Sequence, residues 1–247
     1  MVQAGMNINA HPQATTGRPA TPALLKGARW VRMVFFLHAA VDQNNHAFNF
    51  FNNDLNNAFA YYDPLIAGYA QAGIRTLLVL NQETFAGAGG GAPWPPWGDG
   101  SDQSWAAYAD GFAGVAGRIA AHYKGQGMAY EIWNEGDFQG GSSIFVPPEQ
   151  FAVVLSKIAQ AIKAQDPDAI TVFGGLFNAP RDSVKYVNTV RDKLGGDLPV
   201  DAVGIHPYGK WPPPYKSQND ITTKLQGGWF GTLATHLATL ADGIPDK

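Results

Sequence analysis

Apolar residues along this chain fall into six short runs, at 5–9, 30–36, 75–81, 128–133, 170–174 and 202–206, and most run without the alternation of a half-exposed strand. Continuous runs of this length suit strands covered on both faces, as in a parallel sheet. Between them lie longer stretches with helical periodicity, at 55–72, 104–123, 148–165, 183–194 and 230–241. The third is the clearest: Phe151, Val154, Leu155, Ile158 and Ile162 form one apolar stripe, Pro147 and Pro148 mark its start, and Asp166-Pro167 stops it. Pro64 falls inside the first stretch and predicts a helix that is broken or starts there. Strand and helix in strict alternation predict an α/β fold built of βα units, a TIM-type (β/α) barrel with six units present and the last two missing.

Composition narrows the partners. The 247 residues suit a single domain spanning 1–247. A net charge of −3 with only 15% charged residues leaves no basic footprint for nucleic acid and no polybasic membrane patch. No segment approaches the roughly 20 apolar residues of a membrane span, and the N-terminus shows no signal-peptide pattern. With no cysteine, disulfides and thiolate chemistry are excluded.

The chemistry concentrates at the fourth run, where Glu131-Ile132-Trp133-Asn134-Glu135 takes an apolar strand directly into Asn-Glu at its carboxyl end. In a barrel that end is the catalytic face, and a carboxyl group there can protonate a glycosidic oxygen. Equally, Glu135 there can cap a loop. Two long connections, 38–54 and 82–103, follow carboxyl ends of strands and are candidate substrate loops. The second holds Trp94 and Trp97 in a Pro-rich stretch, which either pack the loop or stack on a sugar. Asn81 and Glu83 end the third strand and either line the cleft or hold the loop; His11 and His38 follow the first and second strands as subsite candidates. Arg32 has a competing reading as a structural ion-pair partner, because arginine tolerates burial only when paired.

The Glu131 to Glu135 motif resembles the fourth-strand signature of the clan A retaining glycoside hydrolases, the cellulases, mannanases, xylanases and β-xylosidases among them. The resemblance covers the whole chain. It implies that Glu135 is the general acid/base and that Asn134 contacts the 2-hydroxyl of a bound sugar. Arg32 resembles the second-strand arginine that keeps the nucleophile ionised, and His206 and Tyr208, in Gly204-Ile205-His206-Pro207-Tyr208, resemble the sixth-strand pair lining the sugar subsite. The implied substrate is a β-linked polysaccharide or oligosaccharide, with no cofactor or metal, and polymer substrates imply action outside the cell.

Retention needs a second carboxylate about 5 Å from the acid, and in this clan a glutamate at the end of the seventh strand supplies it. The four glutamates here are Glu83, Glu131, Glu135 and Glu149, so that nucleophile is missing and the chain is expected to stop before the seventh strand. Asp220, Asp242 and Asp246 sit in polar or terminal segments rather than at strand ends, and Asp137 suits a subsite contact better than a nucleophile. An open six-stranded sheet is expected to self-associate through its edges. Two other readings stand: a carbohydrate-binding barrel without catalysis, and a metal-dependent barrel hydrolase or isomerase using His11, His38, His206 and aspartates, which lacks a compact ligand cluster.

Overall fold

The structure, a computed structural model, describes residues 3–12, 19–37, 50–87, 92–94, 98–139, 144–178 and 180–206. Six parallel strands form one sheet in chain order: β1 (Gly5–Asn7), β2 (Trp30–Val34), β3 (Arg75–Leu80), β4 (Ala129–Asn134), β5 (Ile170–Leu176) and β6 (Ala202–Ile205). Four helices cross between them: α1 (Leu55–Gln71), α2 (Asp102–His122), α3 (Pro148–Gln165) and α4 (Pro180–Lys193). This is the predicted run of six strands of a TIM-type barrel. The predicted helix at 230–241 lies outside the described residues.

Each helix lays one apolar face on the sheet. In α3 the predicted stripe, Phe151, Val154, Leu155, Ile158 and Ile162, is buried throughout. α1 corrects the expectation at Pro64, since the helix runs unbroken through it. Asp54 fixes its start by accepting from the Asn56 N–H. The buried face of Leu55, Ala58, Tyr62, Ile66 and Tyr69 then outweighs the single backbone bond that proline removes.

The strands show where the sheet is covered. β4 is buried from Ala129 to Trp133, whereas every residue of β1 is exposed and β6 is half-buried along its length. On β2, Val31 and Met33 are buried and alternate with half-buried Trp30, Arg32 and Val34. Gly174 in β5 lets two strands meet at close range, because a Cβ there would lie 2.6 Å from the carbonyl oxygens of both Ile132 and Trp133. No helix among the described residues is long and apolar enough to cross a membrane.

Candidate active site

The carboxyl ends of β1 to β4, together with His206 just after β6, enclose a cavity of about 560 Å³. Arg32, Asn81, Glu83, Asn134, Glu135 and His206 all line it, as do the amides of Asn7, Asn9 and Gln82. The predicted strand-end residues from the two ends of the sheet therefore face one space.

Glu135 is placed by an unusual turn of the backbone. Trp133 and Glu135 both have positive φ, 74° and 52°, a region that non-glycine residues seldom occupy and that costs of order 1–3 kcal/mol each. The Glu135 N–H still donates to the Gly175 carbonyl at 2.9 Å, so the chain stays tied to β5 while its side chain turns into the cavity. The Trp133 ring goes the other way, into the core against Trp94, Tyr108 and Phe112, and its indole N–H donates to the Ile144 carbonyl at 2.9 Å.

His206 Nδ1 lies 2.6 Å from Glu135 Oε1, and both side chains are less than one-fifth exposed. One hydrogen lies in this contact, on the imidazole nitrogen or on the carboxyl oxygen. Gly175 makes this contact possible: a Cβ there would sit 2.1 Å from His206 Nε2, inside the imidazole.

Beside this pair, Arg32 donates from Nε to Glu131 Oε2 at 2.7 Å and from Nη2 to Glu131 Oε1 at 2.8 Å. Nη2 also donates to Asn134 Oδ1 at 2.8 Å. Glu131 is only 3% exposed and accepts a further bond from the Gly175 N–H at 2.9 Å. The competing reading of Arg32 as an ion-pair partner thus holds for its Glu131 contacts, while its third bond sets the angle of the Asn134 amide beside the acid. Sequence reasoning assigned Glu131 no role. An acid inside an otherwise apolar strand was the available signal, since such a charge demands a cation.

Glu83 lines the cavity under different conditions. Burial pushes its carboxyl above the usual glutamate range, and one hydrogen bond from Asn81 Nδ2, at 3.3 Å, opposes this. A carboxylate whose folded pKa is raised binds its proton more tightly when folded, so stability falls as pH climbs from the ordinary glutamate value, about 4.3, through the raised one. Glu83→Gln removes that loss. Its stability advantage over the unaltered chain is expected to be absent below pH 4 or so, to grow across this window and then level off, as read by urea denaturation at a series of pH values.

Two sequence expectations are corrected. Trp94 is 8% exposed and packs against Trp105, Tyr108 and Trp133, so its ring belongs to the core and offers no face to a sugar. Asp137 is buried and accepts from the N–H groups of Phe177 and Asn178 and from Ser183 Oγ. It fastens the loop after β4 to the start of α4 and makes no subsite contact. His11 follows the cavity-lining Ala10, its ring edge-on to Phe36 and Phe50, 4.8 and 5.1 Å between centroids, and burial lowers its pKa. His38, Trp97, Tyr208, Asp220, Asp242 and Asp246 lie outside the described residues. Among the described residues no group of three or more His, Asp or Glu is arranged to hold a metal ion.

No protein-family model matches the chain, and no curated protein sequence does. Solved structures do. A thermostable mutant of a xylanase from Cellvibrio japonicus superposes with a TM-score of 0.58 at 16% identity, over 98% of this chain and 66% of that one. The fold is that of the glycoside hydrolase barrels. A GH10 endoxylanase retrieved from a sugarcane soil metagenome gives 0.57 at 12% identity, over 98% and 64% of the two chains. Endo-glycoceramidase II from Rhodococcus sp., in a complex with a cellobiose-like imidazole, gives 0.50 at 14%, over 94% and 70%. The chain thus spans just under two thirds of the length of the two xylanase structures, and its six strands form the corresponding part of the glycoside hydrolase barrel.

Proposed function

We propose that this chain carries the acid/base side of a retaining glycosidase site that hydrolyses β-glycosidic bonds in a polysaccharide or oligosaccharide outside the cell. The observation that carries the reading is Glu135 at the carboxyl end of β4, facing the cavity and held 2.6 Å from His206, with Asn134 beside it. In the first step the Glu135 carboxyl gives its proton to the glycosidic oxygen as the C1–O bond breaks, and in the second it takes a proton from the attacking water. His206 Nδ1–H, donating to Glu135 Oε1, holds the carboxyl in place while Oε2 carries the proton that is transferred, and Asn134, braced by Arg32, offers its amide to the 2-hydroxyl. This chemistry needs no metal or cofactor.

The nucleophile is proposed to come from outside this sequence, since no glutamate follows Glu149. A chain so equipped can protonate the leaving group but has nothing to form the glycosyl intermediate. With a dinitrophenyl β-glycoside, the purified 247-residue chain is expected to turn over far more slowly than an intact glycosidase. Added azide is expected to attack C1 from the opposite face and yield the α-glycosyl azide. Turnover without azide that releases the β-sugar would show a working nucleophile within this chain and sink the proposal. The lack of a late glutamate also favours a second reading, a carbohydrate-binding barrel without catalysis. Sugar binding with no azide product, unchanged by Glu135→Gln, would select it.

The open sheet is proposed to self-associate, supported by the full exposure of β1 among the described residues, Met6 at 52% included. Sedimentation velocity is expected to show concentration-dependent oligomers; a monomer at every concentration would refute it.

A further inference from the structure

We infer that the wall of the cavity formed at the end of β3 is a subsite for a positively charged sugar, so that the β-glycan recognised carries a free amino group on the unit seated against Glu83. The inference rests on the reading of this cavity as a sugar site and adds the class of sugar.

The Glu83 carboxyl lines the cavity, and its side chain receives one hydrogen bond among the described residues, the 3.3 Å contact from Asn81. Among the described residues it forms no ion pair. Arg32 is the cationic side chain that lines the same space, and Glu131 already holds it through two bonds of 2.7 and 2.8 Å. Neighbouring Gln82 is 8% exposed and lines the same wall, but its Oε1 is closed off from the cavity and has no hydrogen-bond donor among the described residues. The Glu83 carboxyl is thus the acceptor that this wall presents, with a single amide donor on it.

Buried carboxylates are paired or adequately hydrogen-bonded in most proteins, and a buried acceptor without a donor is destabilising. Such a wall is complementary to a group with several donors and no acceptor. A protonated primary amine has three N–H donors and one positive charge, and so supplies both the donors and the counter-charge that Glu83 lacks. A neutral hydroxyl supplies one donor and brings acceptors of its own. Asn7, Asn9 and Asn134, which line the same cavity beside Glu135 and His206, are amides suited to the remaining hydroxyls of a sugar ring.

Calorimetric titration of the 247-residue chain with the β-1,4-linked tetramers of glucosamine, N-acetylglucosamine and xylose tests this. The glucosamine tetramer is expected to bind about tenfold more tightly than its acetylated counterpart, which has the same ring without the charge. Glu83→Gln is expected to erase that difference, with circular dichroism showing that the variant folds as the unaltered chain does. Equal affinity for the two amino-sugar tetramers overturns the inference, as does a preference that survives Glu83→Gln. Xylose binding with no preference for the amine leaves the sugar site standing and overturns only the charge selectivity. Failure of all three to bind overturns both.

Discussion

Glu135→Gln is expected to slow azide-assisted cleavage of substrates with poor leaving groups by about 10²- to 10⁴-fold, the usual contribution of a positioned general acid. With a dinitrophenyl leaving group the loss should be small, because that phenolate departs without a proton. The split is diagnostic. A residue that only supported the loop would, on removal, slow every substrate alike, whereas the loss of a proton donor grows with the basicity of the departing oxygen. Rates across a series of aryl β-glycosides, measured with azide present, read the slope directly. A flat series would remove Glu135 from the acid role. The amide retains Glu135's shape and can still meet His206, so the fold should be unaffected, and the positive φ at 135 is occupied equally by either residue.

Arg32→Met is expected to destabilise the fold by about 3 kcal/mol, the lower end for breaking a buried pair, because Arg32 retains 23% exposure while Glu131 has 4%. What is lost is chiefly the compensation of a charge that cannot reach water. Among the described residues, Glu131 keeps only the Gly175 N–H as a donor once the guanidinium is gone. Arg32→Met combined with Glu131→Met should therefore recover much of the stability, and a double-mutant cycle in urea measures the coupling. Additive losses would show that the pair does not act as a unit. Asn134 would lose its 2.8 Å brace in both variants, so sugar binding is expected to suffer even where stability returns.

The strands were legible because their runs are apolar on both faces, which in a sheet flanked by helices leaves little else for those residues to be. Their ends were less so. β4 extends to Asn134 and β5 to Leu176, beyond the predicted 133 and 174, because the pairing of Asn134 with Gly175 depends on backbone approach and not on apolar character. α2 begins at Asp102, before the predicted 104, because Ser101 caps it by accepting from the Ser104 N–H. The acid, the asparagine and the histidine could be read as polar residues at strand ends. The direction of Trp94 could not, since an aromatic ring in a Pro-rich loop has the same sequence appearance whether it faces sugar or core. Neither could the conformation at Trp133 and Glu135, which follows from where β5 lets the backbone pass.

The strict chain order of the sheet also bears on how the molecule is made. Each strand pairs with the next one synthesised, so the sheet can grow as the chain emerges, with no early strand waiting for a distant partner. The acid is the exception. Glu135 precedes His206 by 71 residues, which at ribosomal rates of about 5–20 residues per second is an interval of roughly 4–14 s. During that interval β4 can dock while its carboxyl still faces water. The contact between Glu135 and His206 therefore forms only when β6 arrives, and a nascent chain arrested before that point would display five paired strands with a solvated glutamate.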